Sequence, residues 1–388
     1  MTRTPLILRM PHLFSFAPTR SAARPLRPSP LALAAALLVA AFAIPAGLGA
    51  QTVRGALTGA DNGRPVPGAL VALVDAAGRA VATVVSDAEG RWRLAAPGAG
   101  TYALRVERIG HRTLLTERFA LAAGQTRDHP LALPTDAITL EGIRAEARRR
   151  CTTRGERRDG LALQRVWDEA RKALALTVAT ASDSLAGYEF TTFERTYSPR
   201  ERRLVGETTA TRRGLTSRPF HSLPVEELAE NGFVQARDRG LVFYAPDADV
   251  LLSDRFLERH CFRLQEGSGE TAGMIGLAFE PVRGRRRPDV RGVLWLDRRT
   301  SELRHLEFGY VGVHAAGGAS ADGRVDFVRT PSGAWIVRSW LLRFPVADLH
   351  LSTDLHTNYR LSSARVLKEV GGTVVRGWAP ADSAARER

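Results

Sequence analysis

Two cysteines, Cys151 and Cys261, are the only thiols in the 388-residue chain, and Arg283, Arg285, Arg286 and Arg287, closed by Pro288, form its densest basic cluster. In an oxidising compartment a lone cysteine pair is expected to form a disulfide. The long loop it would close is worth about 4–5 kcal/mol in the chain-entropy picture. The alternative is two separate thiols. Arginines in a tight cluster suit bidentate contacts to anions, here envelope glycans or lipid headgroups; the plainer reading is a solvated hairpin loop. His260 precedes Cys261. Adjacent strand residues point to opposite faces, so the imidazole is badly aimed to activate the thiol.

Other catalytic and metal-binding patterns are missing from the sequence. None of the nine histidines opens an HExxH, and no G-x-S-x-G elbow occurs. His305-Leu306-Glu307 and the pair His350 and His356 share strand faces, and they are read as surface or packing histidines rather than zinc ligands. Gly98-Ala99-Gly100-Thr101-Tyr102-Ala103 fits G-x-G-x-x-A, but it enters a strand instead of opening a helix, so nothing is there to hold a pyrophosphate. The sequence therefore assigns no catalytic residue, no metal site and no cofactor.

What could position a binding surface is clearest between Gly63 and Gly110. Ala69 to Val74 is a short apolar run bounded by Pro65, Pro67, Gly68 and Gly78, as a fully buried strand should be. Trp92 to Leu94 and Tyr102 to Glu107 alternate bulky apolar with small or charged residues, so each predicts a strand with one buried face that places Trp92 and Tyr102 in the core. Asp87-Ala88-Glu89-Gly90 has Asp first and Gly fourth, the chemistry of a type I turn, and Pro97 to Gly100 supplies another reversal. Short strands at such regular spacing predict a β-sandwich.

The segments G-x-P-V-P-G-A-x-V-x-L, S-D-x-x-G-x-W and G-T-Y-x-L-x-V-x-x-I-G resemble the carboxypeptidase regulatory-like domain over roughly Gln51 to Pro134, with His111 standing where that family usually has an aromatic residue. The resemblance implies a transthyretin-like (Ig-like) seven-stranded sandwich and an extracytoplasmic setting. It does not imply peptidase activity, because such domains accompany many unrelated partners.

A formal charge of +14 suggests a polyanion binder, yet Lys172 and Lys368 are the only lysines among 55 basic residues. An arginine skew of this kind in an Ala- and Gly-heavy chain reflects a GC-rich genome, and no nucleic-acid partner is assigned. Residues 1–50 hold five arginines and no acid, then an apolar run from Leu31 to Ile44, then small residues up to Ala50. That is the layout of a secretory signal cut near Gln51, the run being too short for a comfortable membrane span. No transmembrane segment is expected after cleavage.

Beyond a connecting segment, 136–160, the stretch 161–379 reads as an α+β domain ahead of a flexible tail, 380–388. Leu163, Val166, Trp167, Ala170 and Leu174 form a helical stripe that leaves Asp168, Glu169, Arg171 and Lys172 outside it. Short helices are expected at Pro224–Ala229 and at Ser253–His260, the latter capped by Ser253. From Met274 onward strands dominate, with Trp295, Leu303, Phe308, Phe327, Trp335 and Trp340 expected on the inner face of a curved antiparallel sheet. The pattern GVLWLD, ELRHLEFGY, GRVDFVRTPSGAWIVRSWLLRFP is loosely similar to the half-barrel of lipoprotein-carrier proteins.

The chain is thus expected to be mainly β: an amino-terminal sandwich, 51–135, followed by the α+β domain. Its expected role is that of an exported, non-catalytic envelope protein of the periplasm, outer-membrane periphery or exterior. It would bind or assemble with an envelope protein, glycan or lipid. Carbohydrate binding is the alternative, and a hydrolase with a site in the second domain is the more remote one.

Overall fold

In the first module, strands form wherever apolar residues recur at every second position between turn residues. The computed structural model describes residues 51–134, 137–145, 160–182, 187–198, 200, 202–214, 222–237, 240–282, 284, 287–315, 320–346, 359–361 and 366–378. The expected signal segment, Cys151, Arg283, Arg285, Arg286, the pair His350 and His356, and the tail from Pro380 lie outside the described residues.

The first module has nine short strands: β1 (Gln51–Gly59), β2 (Leu70–Val74), β3 (Ala80–Val85), β4 (Arg91–Ala96), β5 (Gly100–Glu107), β6 (Leu114–Leu115), β7 (Phe119–Leu121), β8 (Thr126–Asp128) and β9 (Leu131–Leu133). They make two sheets, β4-β1-β8 with β9 on β1, and β3-β2-β5-β6 with β7 on β5. In β4 the arginines face out while Trp92, Leu94 and Ala96 face in. In β2 every residue is buried. Each such Val or Leu contributes about 1.5–3 kcal/mol by leaving water. Asp87 accepts the N–H groups of Glu89 and Arg91 at 3.0 and 2.7 Å, and Gly90, at φ +75°, returns its own N–H to the Asp87 carbonyl. Trp92 and Tyr102 are 4% and 7% exposed, inside the sandwich core.

The rest of the chain comprises α1 (Gly160–Ser182), β10 (Gly187–Tyr197), β11 (Leu204–Gly214), α2 (Val225–Asn231), β12 (Val234–Arg237), β13 (Gly240–Phe243), α3 (Ala248–Leu252), α4 (Asp254–Arg259), β14 (His260–Glu266), β15 (Met274–Pro281), β16 (Asp289–Asp297), β17 (Leu303–Val311), β18 (Val313–Ala315), β19 (Asp322–Arg329), β20 (Trp335–Val346), β21 (Tyr359–Leu361) and β22 (Val366–Trp378). One sheet in the order β11-β10-β22-β20-β19-β17-β16-β15-β14 carries the architecture, every neighbour antiparallel. Ser253 caps α4 as read from the sequence. The preceding α3, capped by Asp247 at 2.9 Å from the Val250 N–H, spans five residues and is too short to show a period.

Two placements differ from the sequence reading. Trp295 lies on the face opposite Leu294 and Leu296, where its indole N–H donates to Glu307 at 3.1 Å. The run Gly292–Asp297 is apolar on both faces, so alternation could not tell in from out. The second difference concerns α1. No residue from Val166 to Thr180 is exposed, and Glu169 and Lys172 are 1% and 4% exposed. The helix is covered by the large sheet on one side and by the first module on the other.

That second cover is polar. Gly110 donates its N–H to Glu169 Oε2 at 2.7 Å, and Lys172 Nζ donates to Glu169 Oε1 at 2.7 Å and to the His111 carbonyl at 2.6 Å. Beside this pair Arg171 reaches both oxygens of Glu107, at 2.7 and 3.2 Å. Gly110 sits at φ +75°, and a Cβ there would press on the Thr300 carbonyl at 3.1 Å. The connecting segment is tied into the same seam: Ile138 N–H bonds Gly110 O, Leu140 N–H bonds Arg298 O, and Ser301 Oγ donates to Ile138 O. Leu70, Val85 and Ile109 of the sandwich share one apolar core with α1 and the large sheet. Elsewhere on the seam Gly68 and Gly333 pack backbone to backbone, so a Cβ on Gly68 would lie 2.0 Å from the Gly333 carbonyl oxygen.

Removing one partner of a buried ion pair strands the other. Lys172→Ala is therefore expected to lower unfolding free energy by about 3–5 kcal/mol, and Lys172→Met with Glu169→Gln to recover most of it, as read by chemical denaturation. An unchanged midpoint in Lys172→Ala would show that the seam does not depend on this pair.

Candidate functional site

A groove lined by Leu174 and Ala181 of α1, Tyr188 of β10, Leu251 of α3, and Phe327 and Trp335 of the sheet encloses a cavity of about 60 Å³. Its walls are apolar, because α1 and the sheet meet through the stripe that the sequence periodicity requires. Three buried polar atoms among the lining residues have no partner: Thr180 Oγ1, Tyr188 Oη and the Trp335 indole N–H. Burial pushes the Tyr188 hydroxyl far above its ordinary pKa, so it stays a neutral donor. Ligand pockets usually run to about 300–1,000 Å³. The space here admits a handful of waters, not an acyl chain with its headgroup.

The opposite face of the sheet carries ion pairs, and over β14 to β17 it holds an open depression of about 420 Å³ bordered by Arg263, Glu280, Arg291, Val293 and Glu307. Arg324 bridges Glu307 and Asp326, each at 2.9 Å, and Ser339 Oγ donates to Asp326 at 2.8 Å. His305, Asp326 and Ser339 stand side by side across three strands. Acyl transfer requires the imidazole between the hydroxyl and the acid. Here the acid is in the middle, and Arg324 already holds it. His305 is 3.5 Å from Glu307 Oε1, whose carboxylate is occupied by Trp295 and Arg324. Burial first, then the Arg324 charge, keep the His305 pKa below its ordinary value. The row is built to lock strands together, each pair being worth a few tenths to about 1 kcal/mol. Among the described residues no three His, Cys, Asp or Glu side chains gather closely enough to hold a metal ion.

The sequence-derived site residues are scattered. Cys261 is half-buried on β14, and its expected partner Cys151 is outside the described residues. Of the arginine cluster only Arg287 is described, exposed in the β15–β16 connection. His260 is buried, with Nδ1 3.0 Å from the Phe256 carbonyl and Nε2 3.2 Å from the Val290 carbonyl and 3.3 Å from Asp289 Oδ1. The seam residues Glu107, Glu169, Arg171 and Lys172 were missed as a group. The signal available was Lys172 itself, one of two lysines in a chain that otherwise uses arginine.

Two outcomes follow for the titrating and orphaned groups. His111, His129 and His305 all have pKa values lowered chiefly by burial. The unfolded chain therefore takes up protons before the folded one, and stability should fall as pH drops below about 6.5, with His305→Gln flattening that slope in thermal melts. Tyr188→Phe removes a buried hydroxyl without a partner and should be neutral or stabilising by up to about 2 kcal/mol. A clear loss of stability would mean that the hydroxyl is satisfied by something bound.

The comparisons with known proteins bear on the first module. No curated protein matches the chain. Similarity to solved structures is slight: a DUF3823 family protein from Bacteroides uniformis (10% identity, TM-score 0.16, 42% of this chain and 75% of that one), and a putative membrane-associated protein of unknown function from Bacteroides fragilis (11%, 0.16, 84% and 98%). A 9R-lipoxygenase from Cyanothece is similar at the same level (11%, 0.18, 91% and 47%). At these scores none of them informs the function. Residues 52–134, by contrast, match the model of the carboxypeptidase regulatory-like domain, so the chain carries that non-catalytic module ahead of its large antiparallel sheet.

Proposed function

We propose that the protein is an exported, non-catalytic component of the bacterial envelope that works as a binding or assembly module. The observation that carries this reading is the filled inner face of the large sheet. With α1 seated on it, a cavity of about 60 Å³ remains, which argues against lipid carriage. Recognition then falls to outer surfaces held rigid by the seam between the modules. The partner class is an envelope protein in preference to a glycan, because Trp92 and Tyr102 lie in the sandwich core and offer no stacking platform. Export rests on the amino-terminal sequence. A Cys151–Cys261 disulfide suits the same compartment, and no described cysteine is a free thiol. Arg287 and its neighbours in sequence, Arg283, Arg285 and Arg286, provide a secondary anion contact.

Cell fractionation with intact-mass analysis tests the reading. The expected result is envelope-associated protein beginning near Gln51, with no titratable thiol after denaturation without reductant. Cytosolic protein retaining Met1 would overturn it.

A further inference from the structure

The nine-stranded sheet ends at β11, and every residue of that strand from Leu204 to Arg213 is exposed. Most sheet strands bury at least one face. This one has neither face covered, and among the described residues only β10 pairs with it. Natural edge strands are usually blunted by proline, lysine, bulges or shortness. β11 contains no proline or lysine, and its register with β10 is regular from Gly206 to Gly214. An unprotected regular edge offers a row of backbone donors and acceptors to another strand.

The charges on this edge favour one occupant. Across the outer face, Arg343, Glu369, Arg195 and Glu207 form a single cross-strand row of alternating sign on β20, β22, β10 and β11. Arg343 bonds Glu369 at 2.8 Å and Arg195 bonds Glu207 at 2.8 Å. The row stops on an acid at the edge. Farther along, a second row runs from Glu189 to Arg213, bonded at 3.1 Å, and stops on a base. Glu207 and Arg213 lie three residues either side of Ala210, on the same face by the strand's period of two. The regular segment Gly206–Gly214 is centred on that same alanine.

We propose that β11 pairs antiparallel with β11 of a second copy about a two-fold axis at Ala210, joining two large sheets into one. In that register Glu207 meets Arg213 of the other copy, twice, so both alternating rows continue without a break. Thr209 faces Thr211 of the other copy, the glycines face each other at the ends, and the small Ala210 faces itself on the axis. A closed isologous contact of this kind caps the β11 edge of both copies at once. The proposal deepens the assembly reading by naming its partner, and it fails separately: export can hold for a chain that never dimerises.

The test uses the full chain. Sedimentation velocity across a concentration series should show a monomer–dimer equilibrium. Glu207→Arg turns two attractive cross-strand pairs repulsive and should raise the dissociation constant about tenfold or more. Opposed residues on antiparallel strands lie about 4.5–5.5 Å apart at Cα, within disulfide reach. Ala210→Cys, which opposes itself, should lock into a covalent dimer on mild oxidation. Thr208→Cys opposes Arg212 and should lock only when mixed with Arg212→Cys. A chain that is monomeric throughout overturns the proposal and leaves the edge to a strand of another protein. A dimer indifferent to Glu207→Arg and not locked by Ala210→Cys overturns it too.

Discussion

The pairing of Glu169 with Lys172, both buried beneath the turn at Gly110 and His111, is the interaction on which the rest of the structure depends. Two charges removed from water destabilise a fold unless each finds its partners. Here the carboxylate receives an ammonium and a backbone N–H, and the ammonium receives the carboxylate and a backbone carbonyl. These partners exist only when the sandwich and α1 are seated together. Burial raises the Glu169 pKa while Lys172 and the Gly110 N–H oppose that shift, the balance expected of a charge sealed from water with few but well-placed neighbours. The pair thus ties the turn at Gly110 and His111 directly to α1.

Once α1 is pinned there, its other side fills the inner face of the large sheet. Leu174, Leu176 and Ala179 join the sheet's own Leu294, Leu306 and Phe308 in one core that also takes in Leu70 and Ile109 of the sandwich. The helix leaves a cavity of about 60 Å³ on the inner face, and the outer face carries ion pairs that connect strands beside an open depression of about 420 Å³. Also open to recognition is β11 at the sheet edge, where the sheet outruns the layer packed on it. Fold and proposed function are linked through this mismatch of lengths.

Local patterns were a sound guide wherever the chain's own neighbours decide the outcome. Turn chemistry at Asp87–Gly90, the buried run of β2 and the capping of α4 by Ser253 were all legible because each depends on contacts within a few residues. The buried charges on α1 were not. A helical stripe predicts which face meets the first neighbour, and nothing in a period of 3.6 announces a second neighbour on the opposite side. Trp295 was misplaced for a related reason: in a strand apolar on both faces, alternation carries no sign.

The sequence by itself determined the class of each module and the identity of the sandwich, since these follow from residue spacing and from turn residues whose backbone preferences are intrinsic. Only the tertiary structure decided that Glu169, Lys172, Gly110 and Gly68 belong to one seam, that the sheet's inner face is filled, and that β11 is left bare. Those outcomes depend on which surfaces exclude water from which others, a property of residues 50 or more positions apart that no local pattern encodes.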